Sequence, residues 1–138
     1  MHARLRRRLS LLAVAALTAT ACETTTTPPD PILPPPTVVP FSGTLTINGA
    51  ATHRFSSTIA GEIDVRLKTL APDSTVTIGL NLGVWTGASC SIVIADDNAI
   101  LNALLVGTST AGGEFCARVS DVGKLTAPTD YLIEVTHF

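Results

Sequence analysis

From Phe41 onward, apolar and polar residues alternate with a period of two, and no stretch sustains the 3.6-residue period of an amphipathic helix. Ile63, Val65 and Leu67, for example, alternate with charged residues. Successive side chains of a strand point to opposite faces, so this pattern predicts strands with one buried and one solvated face. Residues 41–138 are therefore predicted to form an all-β domain.

Turn residues divide this alternation into seven or eight short strands. Asn48-Gly49 predicts a hairpin turn and Asp96-Asp97-Asn98 another turn, while the apolar segment 99–107 is compatible with a strand or one short helix. Short strands at this spacing indicate an antiparallel β-sandwich of the jelly-roll or Greek-key kind. In one run, strand parity predicts Trp85 on the outer face and five apolar side chains on the inner face: Val76, Ile78, Leu80, Leu82 and Val84.

Residues 1–21 have the three parts of a signal peptide in order. Four arginines give a positive start, LSLLAVAAL is a short apolar run, and Ala19-Thr20-Ala21 is a small-residue cleavage site. The apolar run has roughly half the length that a membrane-spanning helix needs. We therefore expect an exported protein and exclude this segment from the fold.

Cys22 follows the cleavage site directly, and Ala19-Thr20-Ala21-Cys22 resembles the lipobox of bacterial lipoproteins. The resemblance implies that Cys22 is acylated and anchors the protein to a membrane of the bacterial cell envelope. Several acyl chains on one residue give a stable anchor, whereas a single myristoyl chain binds only marginally. Ordinary signal peptidase would cut the same bond and leave Cys22 without lipid, and the sequence motif leaves this alternative open.

Residues 22–40 are rich in threonine and contain seven of the nine prolines of the chain. Proline lacks a backbone N–H and cannot join a continuous ladder of hydrogen bonds. The segment is therefore predicted to be a disordered tether. In polyproline II geometry, at about 3.1 Å per residue, it would hold a domain about 55 Å from the membrane.

The other two cysteines, Cys90 and Cys116, are predicted to form a disulfide. Neither has a Cys or His at the spacing of a zinc site, and disulfides are favoured in exported chains. The bond would stabilise the domain by about 3 kcal/mol in the chain-entropy model. Cys90 shares strand parity with apolar neighbours whereas Cys116 opposes them, so we expect one of the two cysteines at a strand end or beyond a bulge.

Four segments of the domain resemble the bacterial pre-peptidase C-terminal (PPC) domain: residues 53–55, 61–67, 113–119 and 130–135. That family is a small β-sandwich appended to secreted peptidases, where it is thought to assist secretion or substrate binding. The resemblance implies an accessory module and not a peptidase.

The sequence offers no clear catalytic or cofactor motif. His53 and His137 share the inward faces of their strands, which favours structural roles. Asp96, Asp97 and Asn98 are a weak candidate for Ca²⁺ that lacks the full calcium-loop pattern, so we expect neither a metal nor a cofactor. From Cys22 onward there are five Lys or Arg and eleven Asp or Glu, and this acidic balance argues against nucleic acid as a partner.

These observations predict a non-enzymatic lipoprotein of the cell envelope that recognises a glycan or a polypeptide. A structural envelope protein without a small ligand and a hydrolase with a hidden site are the alternatives. Trp85, the only tryptophan, is the candidate binding surface because glycines precede it on the same strand face and leave space for a sugar ring. The competing interpretation is that Trp85 packs under the loop 86–89.

Overall fold

The structure, a computed structural model, describes residues 33–138. The signal peptide, the lipobox with Cys22 and most of the predicted tether lie outside the described residues. Within residues 33–138 no helix is long and apolar enough to cross a membrane. The described chain forms eight strands: β1 (Thr37–Leu45), β2 (Ala50–Ser57), β3 (Gly61–Ala71), β4 (Ile78–Trp85), β5 (Cys90–Ala99), β6 (Leu104–Ser109), β7 (Gly113–Ser120) and β8 (Thr129–His137).

The eight strands form two four-stranded antiparallel sheets, and the predicted β-sandwich is confirmed. Sheet A has the order β1-β8-β3-β6, and sheet B has the order β2-β7-β4-β5. Every connection except that between β4 and β5 passes from one sheet to the other. This strand order is that of an eight-stranded jelly roll, in which two sheets face each other across one core.

Alternate residues of both sheets fill the space between them. Val65 and Leu67 of sheet A and Ile78 and Leu80 of sheet B are completely buried. The core is mainly aliphatic, as the low aromatic content of 4% requires. Burial of these side chains supplies the main favourable free energy of folding, because each apolar side chain removed from water contributes about 1.5–3 kcal/mol.

Asn48-Gly49 forms a turn but not the predicted hairpin. Asn48 adopts a left-handed φ of 57°, and Gly49 N–H donates to the carbonyl of Thr46 at 2.9 Å. The flanking strands β1 and β2 lie in different sheets and pair with β8 and β7 instead of with each other. The local signal correctly predicted a chain reversal, but the partner of each strand is decided by the sandwich as a whole.

The turn predicted at Asp96-Asp97-Asn98 is wrong, because these residues lie within β5. The register between β4 and β5 shifts here, since Ile78 pairs with Ala99 whereas Leu80 pairs with Asp96. The Asp96 carboxylate accepts the backbone N–H of Asn98 at 2.9 Å, so these polar residues build a bulge. The chain reverses later, at Asn102, whose φ is 70°. The segment 99–107, for which the sequence allowed a strand or a helix, contains this turn and the first part of strand β6.

The first strand begins at Thr37, so the last residues of the segment predicted as tether belong to the sandwich. Pro40 lies in β1, which pairs only with β8 and forms an edge of sheet A. An edge strand tolerates proline because its missing N–H can face solvent. The predicted boundary between the tether and the domain, which was based on proline content alone, therefore lies a few residues too late in the chain.

The inner-face prediction for β4 holds for Ile78, Leu80 and Leu82, which are buried, but is wrong for Val84, which is 45% exposed. Val84 lies next to the end of β4, where the gap between the sheets opens into a small apolar cavity. Val76 precedes β4 and packs half-buried against the core. The prediction failed where the strand passes beyond the closed part of the sandwich.

Candidate functional site

The outer face of sheet B carries the predicted disulfide and Trp85. The pairing of β2, β7 and β4 aligns Thr52, Arg118 and Asn81 in one row across the sheet. A second row contains Arg54, Cys116 and Gly83. Their neighbours along the strands, such as Ala117 and Val119, are buried on the inner face. The first row and Arg54 therefore give this face a polar and basic character.

The disulfide between Cys90 and Cys116 is present, with Cα atoms 5.8 Å apart. The parity conflict noted in the sequence is resolved by a second register shift between β4 and β5: Leu82 pairs with Ile94, but Gly83 pairs with Ile92. The expected bulge is thus confirmed. Disulfides persist in oxidising compartments, so this bond points to an exported location.

Trp85 is half-buried at the end of β4. The guanidinium of Arg54 lies 4.7 Å from the centre of the indole ring, within the range of a cation–π contact. The same guanidinium is 3.4 Å from the Glu114 carboxylate, and both of these side chains are about half exposed. The indole Nε1 is buried and has no hydrogen-bond partner among residues 33–138.

A turn next to Trp85 connects β4 to β5. Thr86 N–H donates to the Ser89 carbonyl at 2.9 Å, and Gly87 supplies a left-handed φ of 92° that favours glycine. Together with the sheet, this turn surrounds a shallow depression of about 360 Å³. Its lining residues are Thr52, Trp85, Ala88, Ser89, Cys90 and Arg118.

Arg118 brings a positive charge to the edge of this depression. Its side chain takes part in none of the ion pairs between residues 33–138, which are Arg54–Glu114 and Lys68–Glu134. Its backbone carbonyl accepts a hydrogen bond from the Asn81 side chain at 3.4 Å, which links the buried amide to β7. The depression therefore combines one indole, one guanidinium and the hydroxyls of Thr52 and Ser89.

The two histidines of the described chain lie between the sheets, and neither of them lines this depression. His53 Nε2 is 2.8 Å from the Tyr131 hydroxyl, and its ring stacks on Phe41 with centroids 4.8 Å apart. Burial lowers the pKa of His53 and raises the pKa of Tyr131. The His137 ring lies 5.3 Å from that of Phe55. Neither imidazole hydrogen-bonds to a carboxylate within residues 33–138.

Within residues 33–138, no further acidic or metal-binding side chains lie beside the weak calcium candidate to complete a site. Asp96, Asp97 and Asn98 lie along β5. No group of three or more His, Cys, Asp or Glu side chains within residues 33–138 is arranged to hold a metal ion.

The sequence analysis missed Arg54 and Arg118 as neighbours of Trp85. Alternation does place both on outer faces, because Arg54 precedes the buried Phe55 and Arg118 lies between the buried Ala117 and Val119. Alternation within one strand does not show which other strands lie next to it in the sheet. Since β2, β7 and β4 are far apart in the chain, only the sheet order brings these three residues together.

Comparison with known proteins supports the architecture. No protein-family model matches the chain, and no curated protein matches it. The crystal structure of a Yersinia pseudotuberculosis-derived mitogen is similar, with a TM-score of 0.57 over 75% of this chain and 87% of that one. The two sequences are 16% identical, so the similarity concerns the fold alone.

Proposed function

We propose that this protein is a non-catalytic recognition module that binds a glycan or a polypeptide on the outer face of sheet B. The observation that carries the proposal is the depression beside Trp85, where an indole, a guanidinium and hydroxyls converge. Ligand sites commonly combine an aromatic surface with a few polar groups in a hollow of about 300–1,000 Å³.

We further propose that the module is an envelope lipoprotein, anchored through Cys22 and extended from the membrane by its proline-rich segment. The lipobox-like sequence, the odd number of cysteines and the disulfide between the other two support this placement. An accessory role, in which binding serves another protein or the cell surface, belongs to this proposal.

The position of Trp85 allows a direct test of recognition. We expect that Trp85→Ala abolishes retention of the protein on cell-wall or polysaccharide material that retains the wild type, while the melting temperature changes little. Val106→Ala is the matched control, because Val106 is 45% exposed on the outer face of the other sheet. That variant should be retained like the wild type.

Stability measurements separate binding from a purely structural role of Trp85. If Trp85 serves only to hold the turn 86–89 against the sheet, Trp85→Ala should cost about 3 kcal/mol or more. If the alanine variant unfolds, the retention assay is carried out with Trp85→Phe instead, because this variant keeps an aromatic ring. A large loss of stability, together with no retention of the wild type on any glycan or polypeptide, would contradict the proposal and favour a structural envelope protein.

A further inference from the structure

The charges of residues 33–138 are distributed unequally over the surface of the domain. These residues include five Lys or Arg and nine Asp or Glu, so the domain is acidic. On sheet A, β3 and β8 carry Glu62, Asp64, Asp130 and Glu134 outward against Arg66 and Lys68. On sheet B, β2 and β7 carry Arg54 and Arg118 outward against Glu114. The strand β5 of this sheet also carries Asp96 and Asp97, at the level of Leu80 and therefore five residues along β4 from Trp85. The surface around Trp85 is thus a basic area on an acidic domain.

Both arginines of this surface are able to pair with a ligand. Arg118 lines the depression and makes no ion pair within residues 33–138. The pair formed by Arg54 and Glu114 has its closest atoms 3.4 Å apart, and both side chains are about half exposed. Such exposed pairs contribute little stability, so an anion bound nearby can draw Arg54 from Glu114 at a small cost in free energy.

The chemistry of the depression matches a sugar that carries a carboxylate. A guanidinium presents two parallel N–H donors that fit the two oxygens of a carboxylate. The indole offers an apolar surface for a sugar ring, and the hydroxyl of Thr52 can exchange hydrogen bonds with its hydroxyl groups. The Ser89 hydroxyl already lies 3.2 Å from that of Thr86. A neutral glycan would use the indole but would leave Arg118 without a partner.

We infer that the ligand of this surface is an anionic, uronate-bearing polysaccharide, and that Arg118 binds its carboxylate. The inference rests on the proposed recognition function and specifies its ligand class. Arg54 acts as a second cation that stacks on Trp85 in the free protein and turns toward a neighbouring carboxylate of the polymer.

The test uses the whole chain and three polymers: alginate as a polyuronate, dextran as a neutral glycan and polyglutamate as an acidic polypeptide. We expect alginate to bind more tightly than either of the others and to bind more weakly when the salt concentration is raised, because screening weakens exposed charge pairs. Arg118→Gln should weaken alginate binding by about tenfold or more, as expected for loss of a charge-assisted hydrogen bond.

Two further variants control for charge and geometry. Lys124→Gln removes an exposed cation outside the Trp85 surface, in the connection between β7 and β8, and should leave alginate binding unchanged. Arg118→Lys keeps the charge but loses the paired N–H donors, so its affinity should lie between those of the wild type and Arg118→Gln. Circular dichroism of each variant verifies that the fold is intact.

The outcomes distinguish the ligand class from the function itself. If dextran binds as tightly as alginate, depends on Trp85 and is insensitive to Arg118→Gln, the uronate inference is overturned while recognition of glycans stands. If polyglutamate binds as tightly as alginate, the assignment to a polysaccharide is wrong. If no polymer binds and Trp85→Ala changes nothing in the retention assay, both the inference and the proposed function fail.

Discussion

At the scale of single residues, His53 shows how the sandwich tolerates a titratable group between its sheets. The imidazole is partly buried, stacks on Phe41 and lies within hydrogen-bonding distance of the Tyr131 hydroxyl. No carboxylate of residues 33–138 hydrogen-bonds to it, so burial acts without compensation and lowers the pKa of His53. The neutral imidazole is therefore the form that suits the folded state.

This environment makes a prediction about pH. The folded-state pKa of His53 lies below the unfolded value, so the unfolded chain binds the proton more readily as the pH falls. The stabilising effect of the neutral form is present above the unfolded pKa and is lost as the pH falls below about 6.5. We expect the free energy of unfolding to decrease between about pH 7.5 and pH 5.5, above the range in which carboxylates titrate.

Chemical denaturation at several pH values measures this dependence. His53→Gln removes the titration but keeps a polar side chain that can contact Tyr131, so the free energy of unfolding of this variant should fall less over the same range. Equal pH dependence of the wild type and the variant would show that His53 is not responsible.

At the scale of elements, β4 and β5 form the one pair of consecutive strands that lie side by side within the described chain. Beyond their bulge, β5 lies so close to β4 that Gly83 has no space for a side chain. The expectation that the glycines before Trp85 leave space for a sugar ring is therefore wrong, because β5 fills that space at Gly83. An added Cβ would collide with the carbonyl of Ser91 and lie 3.0 Å from the Cα of Ile92. This close approach lies beside the disulfide, because Gly83 pairs with Cys116.

Gly83→Ala should therefore destabilise the domain by about 1–3 kcal/mol, as overpacking against a backbone does. Gly113→Ala is a matched control in another strand of the same sheet, because its added Cβ would lie 3.7 Å from the Phe115 ring, an ordinary contact distance. The melting temperatures of the two variants provide the comparison. Equal stability of both would mean that β5 shifts away from β4 without cost.

The same elements show what sequence patterns can and cannot predict. Alternation predicted the strands and most of the inner faces, because these depend on the period of a single strand. The disulfide was predicted from cysteine chemistry in an exported chain, although the strand parities of the two cysteines conflict. Alternation did not predict that Asn48-Gly49 connects two sheets, that Asp96 to Asn98 form a bulge, or that Arg54 and Arg118 adjoin Trp85. These features depend on which strands pair and in which register, and that is determined by the complete core.

At the scale of the whole molecule, the proposed anchor at Cys22 can be tested independently of the ligand. We expect that Cys22→Ser moves the protein from the detergent phase to the aqueous phase, because it removes the thiol that would carry the acyl chains. Thr24→Ser changes a nearby residue of the same segment and should leave partition unchanged. An unaltered detergent-phase fraction for Cys22→Ser would contradict lipidation.

The pairing of β1 with β8 has a consequence for the order of folding. These are the first and last strands of the sandwich, and β8 also separates β1 from β3. A chain that emerges from a ribosome or an export channel with β1 first cannot complete sheet A until β8 has followed. Closure across such a long sequence separation is slow compared with local folding. Until then β1 and β3 keep unpaired edges that can pair with other chains, and we expect this interval to be when the protein is most prone to aggregate.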